Sequence, residues 1–171
     1  MNTAESVNSV TIYIDGACRG NPGPGGYGII IKAVGVQNEH SGGFRMTTNN
    51  RMEIMPAIIA LETLKYPSIA VIYSDSQYLV NAISAGWAKK WQSNGWLRNK
   101  TDKALNPDLW KRLLKLCDYH RVEFRWIKGH NSHKENERCD ALSVAAAAKP
   151  NLPADPGYER RNPEPVTSRL L

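Results

Sequence analysis

The stretch VTIYIDGACRGNPGPGGYGIIIKAV, residues 10–34, contains the pattern that decides the fold. Apolar and polar residues alternate up to Asp15, which predicts a strand that ends on this acid. The following residues, 16–28, are so rich in glycine and proline that they predict a turn, and the apolar run over 29–34 predicts a second strand. With a third strand expected over 35–46, the chain begins with three antiparallel strands.

The rest of the chain is predicted to form further helices and two more strands. Residues 47–50 offer N-cap side chains for the first helix. Apolar spacing predicts helices over 52–66, about 76–83, 87–93, 108–120 and 135–148, and strands over 69–73 and 122–127. This order predicts an α/β fold, a mixed five-stranded sheet of three antiparallel and then two parallel strands, with helices on both faces.

The length and composition indicate one compact domain. At 171 residues, with 42% hydrophobic and 22% charged residues, the chain can bury a sizeable core, and its apolar runs are far shorter than the roughly 18 residues of a membrane span. Without a secretory signal, and with three widely spaced cysteines expected to be thiols, the protein is predicted to be cytoplasmic. We expect a flexible N-terminus over 1–9, a folded domain over 10–149 and a proline-rich, disordered tail over 150–171.

A basic segment rich in tryptophan lies between residues 87 and 128. It has eleven lysines and arginines against four acids, and because the net charge of the whole chain is +6, the remainder is close to neutral. Positive charge beside flat apolar side chains is typical of surfaces that bind a sugar–phosphate backbone. The alternative is a solvated helical face with ordinary core tryptophans.

Two acids follow predicted strands of the sheet. Asp15 ends the first strand, and Asp75 follows the strand over 69–73. If these strands are neighbours, both carboxylates gather at the carboxyl edge of the sheet, where ligand sites of open sheets commonly lie. The alternative is that both acids are ordinary turn residues.

Five motifs follow one another along the chain: YIDG at 13–16, GNPGPGGYG at 20–28, TTNNRME at 47–53, SDSQY at 74–78 and WIKGHNSHKENERCD at 126–140. In this order and spacing they resemble type 1 ribonuclease H, the family that cuts the RNA strand of an RNA/DNA hybrid. The resemblance covers about residues 10–148 and implies the ribonuclease H-like form of the sheet predicted above. The glycine-rich motif is not a dinucleotide site, because an apolar strand follows it instead of a helix.

The resemblance implies a catalytic site of four carboxylates, Asp15, Glu53, Asp75 and Asp140, each within one of the motifs. Clustered acids repel one another unless cations lie among them, and hard oxygen ligands suit Mg²⁺, with Mn²⁺ as a possible substitute. Two such ions would support in-line hydrolysis of a phosphodiester, leaving 3′-hydroxyl and 5′-phosphate ends. The alternative is that Glu53 and Asp140 are solvated helix acids.

His130 is the fifth residue with an implied catalytic role. It follows Gly129 in a predicted loop, where an imidazole of pKa about 6.5 can transfer a proton or help a product to leave. One alternative is an ordinary surface histidine. A zinc site with His133 and Cys139 is rejected, because it has no clear fourth ligand.

The resemblance also implies contacts with the hybrid. Side-chain amides near the minor groove meet the RNA strand, one pocket grips a DNA phosphate, and a basic handle at about 87–105 holds the DNA strand. The corresponding residues are Asn21, Asn50 and Gln77 for the groove, Thr48 and Asn106 for the pocket, and Trp87, Lys89, Lys90 and Trp91 for the handle.

Two positions depart from the pattern of the family. Met46 stands where an arginine often precedes the phosphate pocket, so the pocket is expected to be weaker or to use Arg45 or Arg51 instead. Pro56 stands where the first helix would normally continue, and its ring is expected to kink the helix beside Glu53.

The sequence therefore predicts a monomeric, Mg²⁺-dependent endonuclease that acts on RNA/DNA hybrids, without a membrane or an obligate protein partner. A module that only binds hybrids or double-stranded RNA would be expected to have lost one or more of the four acids, and none is lost. Another nuclease or an integrase of the same broad fold would not be expected to combine the basic segment with the motif at 126–140.

Overall fold

The computed structural model describes residues 8–129 and 133–161. Within these residues the strands are β1 Asn8–Cys18, β2 Gly23–Ala33, β3 Val36–Thr47, β4 Ser68–Ser74 and β5 Arg121–Trp126. The helices are α1 Asn49–Thr63, α2 Gln77–Ser84, α3 Trp87–Ser93, α4 Pro107–Tyr119, α5 Lys134–Ala147 and α6 Pro156–Glu159. The strands form one sheet in the order β3-β2-β1-β4-β5, with antiparallel pairing among the first three and parallel pairing from β1 through β5. The predicted sheet is confirmed.

Helices cover both faces of the sheet, as predicted. Ile12 and Ile14 of β1 are buried in the main core together with apolar residues of α1. On β2, the consecutive glycines Gly25 and Gly26 face opposite sides of the sheet. A Cβ on Gly25 would lie 2.8 Å from a side-chain carbon of α1, and a Cβ on Gly26 would lie 2.3 Å from a backbone oxygen of α5. α1 and α5 therefore pack on opposite faces of the sheet.

The prediction that residues 16–28 form a turn is wrong. β1 continues to Cys18 and β2 begins at Gly23, so only residues 19–22 connect the two strands. A Cβ on Gly28 would lie 2.3 Å from a backbone oxygen of α5. Gly26 and Gly28 are therefore strand residues that allow a close approach of α5, whereas their composition alone is typical of a turn.

α1 begins at Asn49, earlier than the apolar pattern indicates. The hydroxyl of the N-cap residue Thr48 accepts a hydrogen bond from a backbone N–H in the first turn at 3.3 Å. Pro56 lies inside the helix and has no N–H, so the Met52 carbonyl lacks a partner four residues along. That carbonyl lies against Gly16, where a Cβ would be 2.0 Å from the oxygen. Only a glycine fits at this contact between β1 and α1, and the kink at Pro56 stays a prediction.

The prediction of a disordered tail is wrong for residues 150–161. This segment contains α6, the N–H of Arg45 donates to the Pro153 carbonyl at 2.8 Å, and Asp155 is buried against the guanidinium of Arg51 at 2.7 Å. A buried carboxylate requires such a partner. The composition of this segment suggests that the entropy lost on ordering would keep it disordered. Its long-range ion pairs offset that loss.

The other helices and strands begin and end within one residue of their predicted positions. α3 matches its predicted span, and Ser76 caps α2 by accepting a hydrogen bond from a backbone N–H at 3.1 Å. Asn8 and Ser9 already belong to β1, so the predicted flexible N-terminus is too long by these two residues. Residues 1–7 and 162–171, on which the other terminal predictions fall, lie outside the described residues. Among the described helices, none combines the length and the apolar character needed to cross a membrane.

Candidate active site

Asp15 and Asp75 lie just beyond the ladder between two neighbouring parallel strands, β1 and β4. The pairing of β1 with β4 ends at Tyr13 and Tyr73, whose rings stack with centroids 5.1 Å apart, and each acid follows two residues later. Asp15 is not the end of β1, because the strand continues beside β2 to Cys18. Both acids nevertheless lie two residues beyond the end of the β1–β4 ladder.

Glu53 joins these two acids from α1. Its Oε2 accepts a hydrogen bond from the Ser76 hydroxyl at 2.6 Å. Burial and the charge of Asp75 raise the pKa of Glu53, and the hydrogen bond from Ser76 opposes this rise. Ser76 thus ties the Glu53 carboxylate to the start of α2, directly after Asp75.

The electrostatics of Asp15 connect it with the other three predicted acids. Burial and the charges of Asp75, Asp140 and Glu53 raise the pKa of Asp15 to about 7. This rise occurs although the backbone N–H of Gly16 donates to Asp15 Oδ1 at 2.8 Å and favours the charged form. Because α1 and α5 lie on opposite faces of the sheet, Glu53 and Asp140 approach its edge from both sides.

The carboxylates of these four acids are chemically suited to a divalent cation. Mg²⁺ and Mn²⁺ prefer hard oxygen ligands, and a cation would counter the repulsion that helps to raise the pKa of Asp15. In the part of the chain that the structure describes, no three His, Cys, Asp or Glu side chains are grouped to hold a metal ion. The fit to a cation therefore rests on the chemistry and mutual repulsion of the acids.

In metal-free buffer we expect Asp15 to make the folded protein less stable as the pH rises. Its pKa in the folded state is raised to about 7 from 3.8, so the folded protein holds a proton that the unfolded chain has released. This contribution favours folding below about pH 4 and is lost towards about pH 7, with a change of about 2–4 kcal/mol in the free energy of unfolding. Denaturant unfolding in EDTA measures this change.

The matched variant is Asp15→Asn, which cannot titrate. The free energy of unfolding of wild type, relative to that of the variant, should fall between about pH 4 and about pH 7. Acids that are distant from Asp15 titrate alike in both proteins and cancel in this difference. Parallel pH profiles for the two proteins would contradict the raised pKa.

The chain after β5 also borders this edge of the sheet. A Cβ on Gly129 would lie 2.7 Å from Asp75 Oδ2, so the backbone passes directly against this acid. The indole N–H of Trp126 donates to the Asp75 carbonyl at 3.0 Å and holds the backbone there. His130, the predicted proton-transfer residue, is the next residue and lies outside the described residues.

Four predicted substrate contacts line one cavity of about 450 Å³, and they are Asn21, Thr48, Asn50 and Asn106. This cavity lies at the starts of α1 and α4. Asn21 also accepts a hydrogen bond from the backbone N–H of Asn49 at 3.2 Å, which connects the β1–β2 turn to α1. Gln77 lies apart from this cavity, exposed at the first position of α2 and next to the acids.

The basic segment contributes to both the core and the surface. Trp110 is fully buried, and Trp91 packs edge-on against it with ring centroids 5.9 Å apart. Trp87 is 42% exposed, and Lys89 and Lys90 are exposed beside it on α3. The alternative of core tryptophans is therefore right for Trp110 and partly right for Trp91, whereas the other three side chains form an accessible surface.

A buried network of ion pairs lies beside the cavity and is not predicted from the sequence. Arg51, 2% exposed, donates to Asp155 at 2.7 Å and to Asp108 at 2.8 Å. Asp155 also accepts a hydrogen bond from the Thr47 hydroxyl at 2.7 Å. The one sequence signal is an arginine within an apolar helical pattern, which needs a partner if buried. The partners lie 57 and 104 residues away, and no local pattern identifies them.

Several curated proteins similar to this chain are ribonucleases H. The RNase H family model matches residues 7–148. A curated Ribonuclease H of Desulforamulus reducens is 61% identical over 157 residues, which covers 91% of this chain and 99% of the relative. Ribonuclease HI of Synechocystis sp. is 57% identical over 157 residues, which covers 91% and 98%.

Solved structures agree with this family. LC9-RNase H1, a type 1 RNase H with the type 2 active-site motif, is similar with a TM-score of 0.74 and 31% identity, covering 82% of this chain and 72% of that chain. LC11-RNase H1 in complex with an RNA/DNA hybrid has a TM-score of 0.58 and 23% identity, covering 81% and 96%. The second similarity supports the fold alone.

Proposed function

Because the chain belongs to the type 1 ribonuclease H family, we propose that it hydrolyses the RNA strand of RNA/DNA hybrids and leaves 3′-hydroxyl and 5′-phosphate ends. By its family it is a metal-dependent endoribonuclease. One observation carries the proposal: the charges of Asp75, Asp140 and Glu53 help to raise the pKa of Asp15 to about 7. Three acids from the other motifs thus influence the protonation of Asp15.

We assign these four carboxylates as the ligands of two divalent ions, Mg²⁺ or Mn²⁺. Bound there, the ions would activate an attacking water and stabilise the leaving oxygen of the RNA phosphodiester. Ser76 and the backbone N–H of Gly16 hold the carboxylates of Glu53 and Asp15 in place. Because Asp15 must lose its proton to act as a ligand, ion binding is coupled to proton release near neutral pH.

Side-chain amides supply the proposed selectivity for RNA. A 2′-hydroxyl both donates and accepts hydrogen bonds, and so does the amide of asparagine or glutamine. We assign this contact to Asn21 and Asn50 at the cavity, and to Gln77 beside the acids. Thr48 and Asn106, which line the same cavity, are assigned to a phosphate of the DNA strand.

The function is tested with four end-labelled substrates: an RNA/DNA hybrid, duplex RNA, duplex DNA and single-stranded RNA. Each is incubated with Mg²⁺ and, separately, with EDTA. We expect cleavage only in the RNA strand of the hybrid and only with Mg²⁺, and the products should be substrates for 3′ extension and for 5′ dephosphorylation. Equal cleavage of duplex RNA, or cleavage in EDTA, would refute the proposal.

We propose that His130 transfers a proton or assists product release. It follows Gly129, whose backbone lies against Asp75, and this connection supports a role at the site. His130→Ala should slow turnover by about 10²–10⁴ through loss of general acid–base catalysis, with hybrid affinity nearly unchanged. The matched control is His133→Ala, since His133 is an exposed histidine three residues away. If His130→Ala matched wild type in both its single-turnover and its multiple-turnover rate, His130 would not have this role.

The lysines of the basic handle are proposed to bind the DNA strand through its phosphates. If Lys89, Lys90, Lys100 and Lys103 each contact one phosphate, they account for about a hundredfold loss of hybrid affinity between 50 and 200 mM salt. The quadruple alanine variant should therefore bind more weakly at low salt and show a much flatter salt dependence. Fluorescence anisotropy of a labelled hybrid in EDTA measures both quantities.

The control for the handle removes cations at the opposite end of the sheet. Lys65 follows α1, and Arg121 begins β5, far from the carboxyl edge, and both side chains are exposed. The double variant Lys65→Ala/Arg121→Ala should keep the wild-type salt dependence. If the quadruple variant also kept it, the four lysines would be solvated surface groups.

We further propose a monomer that acts in the cytoplasm. All four site acids come from one chain, and Cys18, Cys117 and Cys139 are free thiols, as expected in a reducing compartment. Light scattering should give the mass of one chain at concentrations where cleavage is full. Activity confined to a dimer would contradict this proposal.

A further inference from the structure

The cavity that contains the predicted phosphate contacts is closed on one side by the C-terminal segment 150–161. Besides Thr48 and Asn106, its lining includes Tyr158 and Arg161. The sequence predicts that this pocket is weaker than in the family or takes its positive charge from Arg45 or Arg51. The partners of each arginine in the structure decide whether its charge is available to a phosphate.

Arg51 is committed to the interior. Its guanidinium is 2% exposed and donates to both carboxylate oxygens of Asp155 and of Asp108. It also donates to the side-chain oxygen of Asn106 at 3.3 Å, so it orients this pocket residue. One arginine and two aspartates leave a net charge of −1 beside the cavity, which disfavours a phosphate there.

Arg45 is also engaged. Its guanidinium forms two hydrogen bonds of 2.8 Å with Glu159 of α6, and it is not among the residues that line the cavity. Neither arginine that the sequence suggests therefore offers an uncompensated charge to the cavity.

Arg161 does line the cavity, and its charge reaches the same network. It contributes to the lowered pKa of Asp108, after the larger effects of Arg51. It also lines an adjacent cavity of about 580 Å³ together with Lys103 of the basic handle. Arg161 thus lies between the pocket and the handle, where its positive charge opposes the repulsion between the buried network and a phosphate.

The backbone that carries Arg161 is fixed on the folded domain. Asp155 is anchored to Arg51 and Thr47, Glu159 is paired with Arg45, and the N–H of Arg161 donates to the Tyr158 carbonyl at 3.2 Å. A cation on a fixed segment loses less conformational freedom on binding than one on a free tail.

We propose that Arg161 binds a phosphate of the DNA strand in this cavity, together with Thr48 and Asn106, so that the C-terminal segment is part of the substrate-binding surface. This inference rests on the proposed function, because it takes an RNA/DNA hybrid as the substrate. It replaces Arg45 and Arg51 as the source of positive charge in the pocket.

The test compares Arg161→Ala with Arg160→Ala, which removes the same charge from the neighbouring exposed residue outside the cavity lining. Hybrid affinity is measured in EDTA by anisotropy at several salt concentrations. Between 50 and 200 mM salt, wild type should lose about threefold more affinity than Arg161→Ala, the effect of one phosphate contact. Arg160→Ala should behave as wild type, and Arg161→Lys should recover most of the affinity.

A second measurement identifies the contacted phosphate. Neutral methylphosphonate linkages are introduced singly along the DNA strand and, in a separate series, along the RNA strand. At one DNA position the substitution should weaken binding by wild type but not further weaken binding by Arg161→Ala. A coupled position in the RNA strand, or no coupled position, would overturn the assignment.

The same samples separate this inference from the proposed function. In one outcome, wild type cleaves the hybrid with Mg²⁺, and Arg161→Ala has the affinity and the salt dependence of wild type. The assignment of Arg161 then fails, and the proposed function stands. If wild type neither binds nor cleaves the hybrid, the function fails and the assignment with it. Unfolding curves of the variants verify that any loss of affinity comes from a folded protein.

Discussion

Asp75→Asn is expected to reduce hybrid cleavage by at least about a thousandfold, because bound metal ions supply several kcal/mol of transition-state stabilisation and each 1.4 kcal/mol is tenfold in rate. The amide keeps the size of the side chain but removes the negative charge of a ligand. Without metal the variant should be at least as stable as wild type, since the charge of Asp75 helps to raise the pKa of Asp15 and of Glu53. Cleavage in Mg²⁺ and denaturant midpoints in EDTA measure the two effects.

The matched control is Asp118→Asn, at an exposed acid near the end of α4. It removes the same charge away from the sheet edge and should leave cleavage unchanged. A cleavage rate for Asp75→Asn within about tenfold of wild type, a change of about 1.4 kcal/mol in the activation free energy, would show that Asp75 is not a catalytic residue. Unfolded Asp75→Asn in EDTA would instead assign the residue a structural role.

Asp155→Ala is expected to lower the free energy of unfolding by about 3 kcal/mol, the low end for breaking a buried ion pair. Asp155 is 1% exposed and holds the 2% exposed Arg51 and the hydroxyl of Thr47. Asp108 still contacts Arg51 in the variant, which limits the loss. For a chain of this size the midpoint of thermal unfolding should fall by about 6–12 °C.

Glu159→Ala is the control for this prediction. Glu159 pairs with Arg45 through two hydrogen bonds on the same segment, but the Arg45 side chain is 62% exposed. Exposed pairs contribute about 0–1 kcal/mol, so this variant should lose much less stability than Asp155→Ala. Equal and small losses in the two variants would show that segment 150–161 contributes little to the folded domain.

The local pattern of the sequence predicts much of this fold. Alternation of apolar and polar residues predicts β1, in which Ile12 and Ile14 are buried, and apolar spacing predicts the start of α2 to within one residue. The sequence predicts the proximity of Asp15 and Asp75 on the condition that their strands are neighbours, which the parallel pairing of β1 with β4 fulfils. Glu53 and Asp140 required the resemblance to a family, since an acid on a helix is ordinarily a solvated residue.

What the sequence does not predict depends on partners distant in the chain. Gly26 and Gly28 have the composition of a turn, but the approach of α5 requires glycine there within a strand. Residues 150–161 have the composition of a disordered tail, but Asp155 is held by Arg51, 104 residues away. No local window contains both members of such a contact, so neither the packing of the segment nor the position of Arg161 could be derived before the structure.

The central claim is that four acids from separate motifs form one divalent-ion site, and calorimetric titration with Mg²⁺ and with Mn²⁺ in the absence of hybrid tests it most directly. The proteins are wild type and the four single variants Asp15→Asn, Glu53→Gln, Asp75→Asn and Asp140→Asn. The account predicts that wild type binds the ions, releases protons as it does so near neutral pH, and loses affinity in every variant together with cleavage. Wild-type affinity for both ions in all four variants would contradict it.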